Sequence, residues 1–171
     1  MSTEHSLYAR WAREVLKAYF EKRHPQLDSE EGFLHKAACF VTLHNKSDNS
    51  LRGCIGTLSP NQSDLKEEIH TNALSAALND PRFSPLRADE LNKISISVDV
   101  LDTPEAVSSL EELDPKVYGV IVSSGHKRGV LLPDLPGIDR IEDQMAIAMR
   151  KAGIEPGTPI HVERFKVTRY H

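Results

Sequence analysis

Cysteine is scarce in this chain: there are two among 171 residues, Cys39 and Cys54. Two thiols are too few for a disulfide scaffold. The polar start MSTEHSLYARWARE carries no export signal, so the expectation is reduced thiols in a cytoplasm. Basic charge is also not in excess. Lys and Arg total 21 against 25 Asp and Glu, a net charge of -4, which argues against a general nucleic-acid binder. No run approaches the ~20 consecutive apolar residues of a membrane span. Cys-x-x-Cys, His-Glu-x-x-His, Walker A, G-x-G-x-x-G and G-x-S-x-G are all missing, so no metal, nucleotide cofactor or serine-hydrolase elbow is expected. His35, Cys39 and His44 do not have a standard zinc spacing.

What the chain does have is ordinary globular patterning, with 39% hydrophobic and 27% charged residues. Leu7, Trp11, Val15 and Ala18 recur at helical spacing, predicting a helix from about Ser6 to Arg23 that stops before Pro25. KAACFVTLH and LRGCIGTL flank the polar turn NKSDNS and read as a β-hairpin. A helix is expected from Ser63, capped by that hydroxyl, with Leu65, Ile69, Ala73 and Ala76 on its buried face. ISISVDVL is the clearest strand: Ile94, Ile96, Val98 and Val100 alternate with Ser95, Ser97 and Asp99, giving a core face and a polar face. VYGVIVSS and GVLLP form a second hairpin around GHKR. Asp139 and Glu142 make a capping-box-like start to a third helix, with Gly153 at its end. PIHVERFKVTRY reads as one closing edge strand. The order α-β-β-α-β-(short α)-β-β-α-β predicts an α+β fold with largely antiparallel sheet. The 171 residues are expected to form one domain of two lobes, with a boundary near Asp102–Asp114.

Three segments could carry chemistry. In Leu51-Arg52-Gly53-Cys54-Ile55-Gly56-Thr57, strand alternation puts Arg52 and Cys54 on one face, and a nearby cation favours thiolate. Gly53 and Gly56 are costly in a strand, and their expected use is close approach of backbone or ligand to the cysteine. The alternative is that Cys54 is a small packed hydrophobe and the glycines mark a bulge. In Asn79-Asp80-Pro81-Arg82-Phe83, Asp80 and Arg82 are either ligand-binding or a locally paired helix stop. In Gly125-His126-Lys127-Arg128-Gly129, three potential cations between glycines form either an anion site or a solvated hairpin tip. His35, His44, His70, His161 and His171 show no convergent pattern.

Through LRGCIGT, NALSAALNDPRFSPL, ADEL, ISISVDVL with PEAV, SGHKRGVLLPDL and RKAGI, the sequence resembles the AMMECR domain family over nearly its whole length. Prokaryotic members of that family are the AmmeMemoRadiSam system protein A type. The resemblance implies a two-lobed α+β fold. It also implies association with a Memo-type protein and a radical S-adenosylmethionine enzyme, but supplies no established reaction. Many relatives carry a cysteine just before the Arg-Lys-Ala-Gly segment, where this chain has Met149.

Two readings of function follow. One is a ligand- or partner-binding module that docks through the LRGCIGT surface, with Gly53, Gly56, Asp80, Arg82, Lys127 and Arg128 as binding residues. The other is an enzyme or covalent carrier with Cys54 as nucleophile, Arg52 stabilising the thiolate and a substrate anion, and His126 as base from a distant segment. Nucleic-acid binding is disfavoured on charge, although Arg82, Lys127 and Arg128 could converge.

Overall fold

A computed structural model describes residues 4–29 and 31–171. Its elements in chain order are α1 (Leu7–Glu21), β1 (Ala38–Asn45), β2 (Leu51–Gly56), α2 (Leu65–Leu78), β3 (Ile94–Leu101), β4 (Glu105–Ala106), β5 (Gly119–Ser124), β6 (Lys127–Leu131), α3 (Ile141–Ala152), β7 (His161–Phe165) and β8 (Val167–Tyr170). Short 3-10 turns occupy Ala88–Lys93 and Leu110–Glu112. The chain divides into two units: residues up to Val100 with Thr168–His171, and Leu101–Val167. The fold class is α+β, as the alternation of hairpins and helices predicts.

In the first unit the sheet order is β2-β1-β3-β8. The α1 helix starts where the Ser6 hydroxyl accepts the Ala9 N–H, and it ends at Lys22, whose φ of 55° is left-handed. Trp11 is a core residue, 2% exposed, and its indole N–H donates to the Lys66 carbonyl at 2.9 Å. The α1 and α2 helices bury Leu16, Leu65, Ile69 and Ala73 against Cys39, Val41 and Leu43 of β1 and Ile94, Ile96, Val98 and Val100 of β3. Each fully buried Leu or Ile contributes about 1.5–3 kcal/mol. The alternation of ISISVDVL therefore reports a true core face. Its other face is also sheltered, since Ser97 and Asp99 are buried and Arg169 of β8 grips Asp99 at 2.7 and 3.0 Å.

The N-terminus of α2 differs from expectation by one residue. Asp64, not Ser63, is the cap, and its carboxylate accepts the Glu67 N–H at 2.9 Å. A carboxylate at this position also favours the positive end of the helix dipole.

In the second unit the sheet order is β4-β7-β5-β6, with α3 packed on β5 and β6 through Val120, Val122, Leu131, Met145 and Ala148. The β5–β6 turn places Gly125 at φ 60°, the glycine-favouring first position of a type II′ hairpin turn. The capping box expected from Asp139 and Glu142 does not form. The cap position is Arg140, without a side-chain cap bond, and Asp139 instead pairs with Lys116 at 2.8 Å. At the other end Gly153 is left-handed as expected.

The closing run is not one edge strand. It breaks at Lys166 into β7, an internal strand of the second sheet, and β8, an edge of the first. Charges on both faces had pointed to an edge. In β7 they are accommodated by partners: Arg164 donates to the Glu112 carbonyl at 2.6 Å and lies over the Tyr118 ring at 4.2 Å.

Candidate functional site

The LRGCIGT segment is edge strand β2 and its exit. Its glycines make room for protein. A Cβ on Gly53 would collide with the Ala76 carbonyl of α2, and one on Gly56 would enter the Phe40 ring. Gly53 thus lets α2 lie directly on the strand, and Gly56 accommodates the aromatic ring of its cross-strand partner. Of the two expected uses, close approach of backbone or of ligand, Gly53 serves the first, and the space at both positions is taken up by the fold itself.

Thr42 pairs with Cys54 in register, and the Thr42 hydroxyl and Cys54 Sγ are 3.3 Å apart. Two residues earlier the register slips: Leu43 pairs with Gly53 and His44 with Leu51, leaving Arg52 as the extra residue of a bulge. The shared face expected for Arg52 and Cys54 assumes unbroken alternation, and the bulge breaks it. Arg52 is buried and donates from Nε and Nη2 to the Glu90 carboxylate at 3.0 and 3.1 Å. That pairing holds the Glu90 carboxyl below the usual carboxylate range.

The charge beside Cys54 is Arg82. Its guanidinium donates to the Cys54 carbonyl at 3.3 Å and to both Asp80 oxygens at 3.0 and 2.8 Å. Asp80 in turn accepts the Cys54 backbone N–H at 3.0 Å. The Asp80–Arg82 pair therefore occupies both backbone hydrogen-bonding groups of Cys54 on an edge strand, as a neighbouring strand would. Asp80 also accepts the Arg82 N–H at 3.1 Å, the side-chain-to-backbone turn that an Asp before Pro favours. The locally paired reading of this segment holds, and the pair is also brought to the backbone of the cysteine.

Burial pushes the Cys54 thiol up, and the Thr42 hydrogen bond and Arg82 charge only partly oppose that. The lowering expected from Arg52 is not what the geometry produces. Cys39, fully buried on the opposite side of the hairpin sheet, is pushed up to about 12.

Asp80 is held well below the usual carboxylate range, chiefly by the Arg82 hydrogen bonds. A carboxyl depressed in the folded state contributes stability that is complete above its unfolded value of about 3.9 and is lost as pH falls through its folded value. Asp80→Asn should cost about 1–2 kcal/mol at pH 7 and should flatten the loss of stability below pH ~4. Urea midpoints of both proteins between pH 2.5 and 7 check this, and parallel pH profiles would remove Asp80 from the account.

His126, Lys127 and Arg128 belong to the second unit. They are exposed at the β5–β6 turn, where Lys127 Nζ donates to the Gly153 carbonyl at 2.8 Å. Thr42 and Glu90 were not found from sequence. Glu90 lies 38 residues from Arg52 with no local signal, and Thr42 becomes visible only once the hairpin register is known. Among the described residues, no group of three or more His, Cys, Asp or Glu is placed to hold a metal ion. No helix of the described residues is long and apolar enough to cross a membrane.

The AMMECR1 family model matches residues 9–171. The chain belongs to the AMMECR1 family. A protein of Thermotoga maritima is 48% identical over 95% of this chain and 96% of its own length. A Clostridium acetobutylicum protein is 46% identical over 95% of this chain, which spans only 35% of that protein. The crystal structure of an uncharacterised Pyrococcus horikoshii protein superposes with a TM-score of 0.79 at 29% identity, covering 95% of this chain and 88% of that one. The AMMECR1 domain is thus found both as a chain of this size and as a part of a much longer one.

Proposed function

We propose that this AMMECR1-family chain is a ligand- or partner-binding module of the cytoplasm. In this reading it works beside a Memo-type protein and a radical S-adenosylmethionine enzyme and presents the LRGCIGT strand to them. The observation that carries the proposal is the Clostridium relative, in which the same domain is joined to roughly twice its own length of other sequence. A domain that elsewhere shares a chain with further sequence is suited to act next to another protein. The chemistry around Cys54 supports the same reading. Its backbone is clamped by Asp80 and Arg82, and its sulfur lies 3.3 Å from the Thr42 hydroxyl. The net charge of -4 argues against nucleic acid as the partner.

The Memo-type and radical S-adenosylmethionine proteins of the same organism, purified and titrated calorimetrically, test it. At least one should bind. Arg82→Ala should weaken that binding about tenfold or more, with folding verified by circular dichroism. Failure of both proteins to bind would sink the proposal.

The second reading, Cys54 as nucleophile, is favoured by the Arg82 charge beside a cysteine that is only half-buried. A thiol raised by burial reacts slowly at neutral pH. Iodoacetamide labelling followed by mass spectrometry should show Cys54 reacting at pH 7 more slowly than free glutathione, with the rate climbing through pH 8–10 and Cys39 slower still. Cys54 labelling faster than glutathione at pH 7 would favour the nucleophile.

A further inference from the structure

In the second unit, one side of α3 faces two adjoining cavities of about 490 and 590 Å³, which share Glu142, Met145, Met149 and Gly157. Each volume lies within the roughly 300–1,000 Å³ of small-molecule sites. The first cavity runs between α3 and the segments around Val107–Leu110 and Ile160–Val162. Its lining is apolar where those segments meet the helix. Leu110 stands 52% exposed there, although a leucine gains by leaving water. The second cavity continues past the C-terminal end of α3 to Ile154 and Pro156.

Two features define the chemistry that would fit. The shared floor is two methionines, whose flexible thioethers adapt to flat or branched groups and make favourable contacts with aromatic rings. The ionisable side chains of the lining are Glu142 in the first turn of α3, Glu155 beyond its last turn, Arg150 and, in the first cavity, His161 of β7. Glu142 also has Arg140 at 3.5 Å, but both side chains are 70% exposed, so that pair is water-screened and readily shared. The field at the groove therefore favours a positive head group over a negative one.

We propose that this groove binds a small amphipathic amine, an aromatic or branched aliphatic body on Met145 and Met149 with its ammonium directed to Glu142 or Glu155. The site lies wholly in the second unit and does not depend on the LRGCIGT strand, so it stands or falls separately from the partner-binding reading.

Three probes with one indole body and different heads test it: tryptamine, tryptophol and indole-3-propionate. The full chain, labelled with ¹³C at its methionine methyls, reports directly, because two of its three methionines form the floor. Met145→Leu and Met149→Leu assign the signals. Tryptamine should move both floor signals in a saturable way with a Kd between about 50 μM and 1 mM. Indole-3-propionate should bind about tenfold more weakly, with tryptophol in between. Glu142→Gln combined with Glu155→Gln changes only exposed side chains and should bring the three probes within about twofold of one another. The proposal is overturned by an absence of shifts at 5 mM (roughly five times the weakest expected Kd), by equal binding of the amine and the acid, or by a charge preference that survives the double substitution.

Discussion

Glu68→Ala should lower stability by about 2–4 kcal/mol, more than any substitution of the exposed charges. Glu68 lies in α2 with its side chain buried and, among the described residues, has no cation as a hydrogen-bond partner. Its carboxylate is held by donors instead: the Thr57 hydroxyl at 2.6 Å, the Asn61 N–H at 2.9 Å and the Gln62 N–H at 2.8 Å. Removing it strands two backbone amides and a hydroxyl, and it is the stranded groups that carry the cost. Asn72 adds to the same network from the next turn of the helix, donating to the Cys39 carbonyl at 3.0 Å and the Thr57 hydroxyl at 3.3 Å. The chain leaving the LRGCIGT strand is thus tied to α2 by charge-assisted hydrogen bonds. Glu68→Gln keeps one acceptor oxygen and should lose about half as much. Urea denaturation of the three proteins at pH 7 measures the series. A change below about 0.5 kcal/mol for Glu68→Ala would show that water satisfies the loop equally well.

This network shows where sequence reading runs out. Helical spacing correctly marks Leu65, Ile69, Ala73 and Ala76 as the core stripe, because burial of one helix face leaves a periodic trace. Glu68, one residue before Ile69, sits at the margin of that stripe. In sequence it is an acid in the N-terminal half of the helix, where the dipole favours it, and nothing local says that a loop folds back to meet it. The same holds for Arg52. Alternation predicts its face only while the ladder is regular, and a bulge is a property of two strands together. Glu90, which takes up the guanidinium, is reached through tertiary structure alone.

The closing segment teaches a different lesson. PIHVERFKVTRY is strand-like throughout, and strand it is, on either side of Lys166. Which sheet a strand joins depends on its neighbours, and no Gly or Pro marks the switch. By contrast, the Asn79-Asp80-Pro81-Arg82 group was legible because its chemistry is local. Proline ends the helix and aspartate closes a turn onto Arg82, and the residual question was only what else the pair touches.

The two units solve one packing problem in the same way, and that similarity sets the last expectation. In each, a hairpin strand carries a glycine pressed against the helix that covers it: Gly53 under the Ala76 carbonyl of α2, and Gly129 under the Ala148 carbonyl of α3. The added methyl group would meet helix backbone rather than a flexible side chain, so it cannot be absorbed by a rotamer change. Small residues on both helices, Ala73, Ala76 and Ala77 in α2 and Ala148 and Ala152 in α3, keep these approaches close. Gly53→Ala and Gly129→Ala should each cost ~3 kcal/mol, a fall in Tm of roughly 6–12 °C. Each should also be local at first. Amide exchange should quicken in β1, β2 and α2 for Gly53→Ala and in β5, β6 and α3 for Gly129→Ala, because each methyl group pries apart one helix–sheet layer. Gly125→Ala is the contrast, since a Cβ there meets nothing and only the left-handed φ of 60° opposes it. Its cost should be nearer 1 kcal/mol. If Gly53→Ala or Gly129→Ala proved no worse than Gly125→Ala, the helices would have room to lift, and close helix–strand contact would not be what those glycines provide.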